Sequence, residues 1–140
     1  MIYVVDASVA VKWFVREELR DEAMRLLDDV SRLHAPDWIV LEVAHAASKK
    51  WRDGEIDADQ AQAMAATLPD FIARLHGSVA LTTRALAIAM ALPHPVYDCL
   101  YIACAEANDG VVVTADKRLC QAVRQTAFAG LVRHLEDAMP

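Results

Sequence analysis

The chain has 140 residues, of which 56% are hydrophobic, which is enough to bury one good core and gives no sign of a second. Its formal charge of −6 argues against an ordinary basic nucleic-acid clamp, because such clamps neutralise phosphates with lysine and arginine. A site at which acids hold divalent cations would still attract phosphate, and the total charge would conceal it. We therefore expect one domain over residues 1–140.

Targeting signals and cysteine motifs are both missing from the sequence. No stretch is long and apolar enough for a bilayer, and no basic region precedes the first apolar run. Cys99, Cys104 and Cys120 have no C-x-x-C spacing, so we expect buried free thiols. These features predict a cytoplasmic protein with no membrane segment.

Valine-rich runs alternate with amphipathic segments along the chain. Residues 2–5 and 110–116 are typical of strands that are buried on both faces of a parallel sheet. Pro69 either kinks or ends the helix in which it lies. The other predicted elements are a helix over 18–33, a short strand near 34–35, a helix over 36–53, a helix from 57, an extended piece leading into a helix over 78–92, a helix over 98–109 and a helix over 117–126. The alternation predicts an α/β fold in which helices flank a central parallel sheet.

Four acids stand out because of where they lie. Asp6 and Asp116 follow the two valine-rich strands, and ligands of open α/β sheets bind beyond such strand ends. Glu42 lies among apolar residues in "WIVLEVAHAA", and Asp98 follows "HPVY" directly before an apolar helix.

Helix capping is the simplest alternative explanation for three of these acids. Asp6, Asp98 and Asp116 are each in a plausible N-cap position, where a carboxylate contributes roughly 1 kcal/mol. Glu42 lies inside its helix, where a buried carboxylate needs a cation, a basic partner or a raised pKa. Alternatively, Glu42 faces solvent beside His45, which could hydrogen-bond to it.

A cluster of all four acids would be unstable without compensation. Two carboxylates ~4 Å apart repel each other by about 4 kcal/mol at an effective dielectric constant near 20. The cluster would therefore share protons or bind metal, and hard oxygen ligands suit Mg²⁺ or Mn²⁺. Such ions activate water for attack on a phosphodiester.

The segments "VVDASVAVKWF", "PDWIVLEVAHA", "HPVYDCLYIACAE" and "VVVTADKRL" together resemble a PIN domain, and specifically the VapC toxins of bacterial toxin–antitoxin pairs. The resemblance implies a three-layer sandwich with a central parallel sheet. It also implies a metal-dependent endoribonuclease whose catalytic, metal-binding acids are Asp6, Glu42, Asp98 and Asp116. An RNA substrate, a cognate antitoxin protein and a homodimer are implied as well.

Further positions match polar groups near the family's site. Ser8 and Thr114 correspond to small hydroxyl residues that would orient acids or waters. Lys12, Lys117 and Arg118 are candidates for contacts with substrate phosphate. The alternatives are that Lys12 is solvated or pairs with an acid, and that the other two simply begin an exposed helix.

Two other functions compete with the nuclease. The first is a non-catalytic PIN-like interaction module whose acids serve only as caps. The second is a phosphohydrolase with an aspartyl-phosphate intermediate, which is disfavoured because Ser8, two residues after Asp6, replaces the second aspartate of a D-x-D motif.

Overall fold

A five-stranded sheet forms the centre of the computed structural model, which describes residues 1–138. The strands are β1 (Tyr3–Val5), β2 (Leu33–Pro36), β3 (Arg74–His76), β4 (Val111–Thr114) and β5 (Val132–His134). All neighbours are parallel, in the order β3-β2-β1-β4-β5. The two valine-rich runs form adjacent strands, with Val5 opposite Val113. Every residue of β1 and β4 is buried, as predicted for strands covered on both faces.

Helices connect and cover the strands. The α-helices are α1 (Ala7–Ala10), α2 (Arg20–Arg25), α3 (Trp38–Arg52), α4 (Ala58–Thr67), α5 (Ser78–Ala91), α6 (Val96–Ala107) and α7 (Lys117–Val123). Short 3-10 helices span Val11–Trp13, Leu26–Arg32, Leu68–Phe71, Ala129–Leu131 and Leu135–Asp137. The predicted α/β fold, a central parallel sheet flanked by helices, is confirmed. The last two residues of the predicted domain, 139 and 140, lie outside the described residues.

The helix predicted over residues 18–33 is interrupted. Its α-helical part is α2 alone, and a 3-10 segment follows. Asp29 leaves the helical region with φ −139° and ψ 81°, and its carboxylate accepts a hydrogen bond from Ser31. Short polar side chains compete in this way with helical hydrogen bonding, so the prediction from apolar periodicity overestimated the length of the helix.

Pro69 ends its helix rather than kinking it. It lies in the first turn of the 3-10 segment that follows α4, where its missing N–H costs little. The prediction of an extended piece at residue 78 was wrong, because Ser78 is already helical. The last predicted helix, α7, ends at Val123 and not near residue 126.

The sequence prediction missed β3 and β5, which are three-residue strands at the two edges of the sheet. Cys99 and Cys104 are buried free thiols as predicted, whereas Cys120 is only partly buried. Within residues 1–138 no single helix is long and apolar enough to cross a bilayer. Only α5 and α6 taken together meet the length and composition criteria, and they are bent by 115°.

Candidate active site

Asp6 is held at the carboxyl end of β1 by hydrogen bonds to both of its oxygens. Oδ1 accepts from the hydroxyl of Ser8 at 2.6 Å and from the backbone N–H of Val9 at 3.2 Å, so the predicted N-cap of α1 is confirmed. Oδ2 accepts from the hydroxyl of Thr114. Asp6 is only 6% exposed, so its carboxylate has little freedom to turn away.

Asp116 lies two residues beyond β4 and caps α7, as predicted, by accepting from the backbone N–H of Arg118 at 2.8 Å. Its own N–H donates to the Thr114 hydroxyl at 3.0 Å. The N–H of Ala115 donates to the Ser8 hydroxyl at 2.9 Å. Ser8 and Thr114 therefore tie the ends of β1 and β4 together and orient both acids.

Glu42 lies in the second turn of α3, half-buried, and its carboxylate contacts another helix. Oε1 accepts a hydrogen bond of 2.7 Å from the hydroxyl of Tyr101 in α6. Tyr101 is 1% exposed. His45, the partner considered from the sequence, is exposed and makes no hydrogen bond to Glu42.

Asp98 is not the N-cap of α6, and that prediction was wrong. The helix begins two residues earlier, because Pro95 takes the N-cap position and Val96 begins the helical turn. Asp98 lies inside the first turn, where Oδ2 is 2.7 Å from Nε2 of His94.

Burial makes the charged forms of three acids unfavourable. Desolvation is the main cause that raises the pKa of Asp6 to about 6 and the pKa of Glu42 to about 7, and it also raises the pKa of Asp98. The charges of neighbouring acids raise these pKa values further. The charge of Asp98 raises the pKa of Asp6, the charges of Asp6 and Asp98 raise that of Glu42, and the charge of Asp116 raises that of Asp98. All four acids are thus linked by electrostatic repulsion within one region.

Lysine and arginine side chains do not neutralise this region in the part of the chain that the structure describes. Within residues 1–138, no lysine or arginine forms an ion pair with any of the four acids. In the same part of the chain, no three His, Cys, Asp or Glu side chains stand in a finished metal-binding arrangement.

The candidate phosphate-binding residues differ in their surroundings. Lys12 is 8% exposed, and its Nζ is 3.1 Å from a carboxylate oxygen of Glu17, so it pairs with an acid. Lys117 and Arg118 are exposed at the start of α7, next to Asp116. Of the three, only Lys117 and Arg118 present their charges to solvent.

An open hollow of about 440 Å³ borders Glu42, one of the four acids. It is lined by Trp38, Leu41, Glu42, His45 and Tyr97. The Trp38 and Tyr97 rings are nearly parallel, 5.7 Å apart, and join the start of α3 to the start of α6. Tyr97 remains 57% exposed. An aromatic surface therefore lies beside Glu42 and one residue before Asp98.

Tyr101 and His94 were missed in the sequence analysis. His94 contacts Asp98 and lies four residues before it, and Tyr101 hydrogen-bonds to Glu42 and lies three residues after Asp98. The four-residue spacing of His94 and Asp98 gave a local signal for their contact. No comparable signal joined Tyr101 to Glu42, which is 59 residues away.

Comparison with known proteins agrees with this architecture. The sequence profile of the PIN domain matches residues 3–125. The chain belongs to the PIN domain family. It is 33% identical over 123 residues to Ribonuclease VapC3 of Pyrobaculum aerophilum, an alignment that covers 86% of this chain and 94% of that protein. The predicted resemblance to VapC-type PIN proteins is confirmed.

A solved structure supports the fold of this PIN domain. The crystal structure of PAE2754 from Pyrobaculum aerophilum superposes with a TM-score of 0.71 at 22% identity, covering 97% of this chain and 85% of the other. At that identity the likeness concerns the fold, and it confirms the PIN-like three-layer sandwich.

Proposed function

We propose that this PIN domain is a metal-dependent endoribonuclease and the toxin of a toxin–antitoxin pair. The proposal rests on the repulsion that links Asp6, Glu42, Asp98 and Asp116, together with the absence of a lysine or arginine paired with them among residues 1–138. The relation to Ribonuclease VapC3 supports RNA as the substrate. The four acids are the proposed catalytic and metal-binding residues.

The donor set fits a divalent cation. Four carboxylates supply hard oxygen ligands. Burial, with a smaller contribution from neighbouring acids, raises the pKa of Asp6, Glu42 and Asp98, and a cation would offset this cost of the charged forms. Mg²⁺ or Mn²⁺ would be held by Asp6, Glu42, Asp98 and Asp116. The chemistry that such an ion supplies is Lewis acidity toward a phosphodiester and the water that attacks it.

The chain's own groups would prepare this site. Ser8 and Thr114 fix the Asp6 carboxylate and leave it little rotational freedom, which favours a preorganised ligand. Thr114 also accepts from the N–H of Asp116, so one hydroxyl aligns two of the acids.

Substrate binding would use groups at the rim of the site. The exposed Lys117 and Arg118 can contact backbone phosphates, while Lys12 is already paired with Glu17. The exposed face of Tyr97 beside Glu42 suits stacking of an unpaired base, which is how proteins commonly hold single-stranded RNA.

The proposed protein partners are a cognate antitoxin, supported by the relation to VapC3, and a second copy of the chain. Apolar residues on α5 support the homodimer, because Val79, Leu86 and Met90 are 90%, 52% and 74% exposed and their spacing places them on one helix face. A Met90→Glu variant should lower the molar mass measured by light scattering, whereas an unchanged mass would remove this face from the dimer. A cytoplasmic location remains an expectation of the sequence.

The decisive experiment is RNA cleavage by purified, antitoxin-free protein. Wild-type protein with Mg²⁺ or Mn²⁺ should cut cellular RNA, EDTA should abolish cutting, and Asp6→Asn should be inactive at an unchanged circular dichroism spectrum. Equal cleavage by wild type and variant would exclude Asp6 from the chemistry. Absence of both cleavage and metal binding would favour the non-catalytic interaction module.

A further inference from the structure

We infer that Tyr101 is a positioning residue that holds the Glu42 carboxylate in the orientation needed for cation binding. This inference rests on the proposed function, because Glu42 is one of the proposed ligands. It adds a residue outside the acidic set that the sequence analysis did not identify.

The hydroxyl of Tyr101 is buried, and its hydrogen-bond partner is Glu42. It lies in the most buried part of α6, where Cys99 through Ala105 are all buried, and its ring is 1% exposed. A buried hydroxyl needs a hydrogen-bond partner, and this one donates to Glu42 Oε1 at 2.7 Å. Burial and the nearby acids raise the pKa of Tyr101 well above its ordinary value, so the phenol keeps its proton.

Glu42 needs such a restraint more than the other acids do. Its side chain has three rotatable bonds and is only half-buried, and repulsion from Asp6 and Asp98 favours a swing toward solvent. Tyr101 engages Oε1, while Oε2 has no hydrogen-bond partner within the described residues. One oxygen is thus anchored by a rigid ring and the other is left for a cation.

Tyr101 orients Glu42 as two other hydroxyl groups orient Asp6, by donating a hydrogen bond to the carboxylate. Ser8 donates to Asp6 from α1 and Thr114 donates to it from the end of β4, while Tyr101 donates to Glu42 from α6. Donors to metal ligands of this kind typically change metal affinity by ~10–100-fold when removed. Because Tyr101 carries no charge, its effect is separable from the electrostatics of the site.

The test is Mn²⁺ titration by calorimetry of wild type, Tyr101→Phe, Tyr3→Phe and Asp6→Asn, with a melting temperature for each. Tyr3→Phe is the matched control, because Tyr3 lies at the far end of β1 from Asp6 and its hydroxyl makes no hydrogen bond within residues 1–138. We expect Tyr101→Phe to weaken Mn²⁺ binding by ~10–100-fold and Tyr3→Phe to leave it unchanged. In a Glu42→Gln background, Tyr101→Phe should have no further effect, since it acts through Glu42.

Wild-type affinity in Tyr101→Phe, together with weakened binding in Asp6→Asn, would overturn this inference and leave the proposed function standing. Equal affinity in wild type and Asp6→Asn would instead overturn the proposed metal site itself. If Tyr101→Phe melts too low for titration, Glu42→Asp provides a second test. It withdraws the carboxylate from Tyr101 without altering the core of α6, and unchanged Mn²⁺ affinity in that variant would contradict the inference.

Discussion

Metal-free protein should lose stability as pH rises, because Asp6 is buried where its charge is unfavourable. Its folded pKa of about 6 compares with 3.8 for an ordinary aspartate. The folded state therefore binds a proton that the unfolded state has already released between these values. The resulting stabilisation is fully present below pH 3.8 and is lost as pH rises through about 6. At 1.36 kcal/mol per pKa unit, the loss is about 3 kcal/mol.

Asp6→Asn isolates this effect, because the amide does not titrate and any constant packing cost cancels between pH values. Urea unfolding in EDTA should show that the stability of wild type, relative to Asp6→Asn, falls by about 2.4 kcal/mol from pH 4 to pH 7. For a chain of this size, the same change amounts to roughly 10 °C in melting temperature. A relative stability that stays constant or rises with pH would refute the account of Asp6 as a buried, destabilised carboxylate.

Three further predictions concern the groups around the acids. Thr114→Val removes a hydrogen bond to the charged form of Asp6, so urea unfolding should show that the free energy of unfolding falls by about 2 kcal/mol at pH 7.5 and by less at pH 4.5. Equal losses at the two pH values would contradict this role of Thr114. His94→Ala should weaken Mn²⁺ binding by ~10-fold in calorimetry because Asp98 loses its partner, and unchanged affinity would exclude this role. Replacing Lys117 and Arg118 by alanine should make the slope of log K, the binding constant for single-stranded RNA, against log salt concentration shallower by about 1.4, with unchanged Mn²⁺ affinity. An unchanged slope would exclude both residues from the phosphate contacts.

The acids at the strand ends could be found from the sequence because local patterns determine their places. Valine-rich strands buried on both faces indicate a parallel sheet, and the acids that follow such strands lie beyond the carboxyl ends of neighbouring strands, as Asp6 and Asp116 do. Glu42 stood out because a carboxylate among apolar neighbours needs an explanation. The physical cost of burying charge thus identified candidates without any knowledge of the fold.

The remaining features depend on contacts that local patterns do not encode. The hydrogen bond between Tyr101 and Glu42 joins α6 to α3, and only the packing of these helices brings the two side chains together. The edge strands β3 and β5 have three residues each, too few for a clear alternation of apolar and polar positions. Asp98 was misassigned as a cap because Pro95 allows the helix to begin before it.

The central claim is that Asp6, Glu42, Asp98 and Asp116 share a divalent cation. A crystal of the protein grown or soaked with Mn²⁺ and measured for anomalous scattering tests this most directly. The account predicts an anomalous peak bound by carboxylate oxygens of these acids, with the Tyr101 hydroxyl still bonded to Glu42. A map without a peak among the four acids at millimolar Mn²⁺, or with Mn²⁺ only at other surface carboxylates, would contradict it.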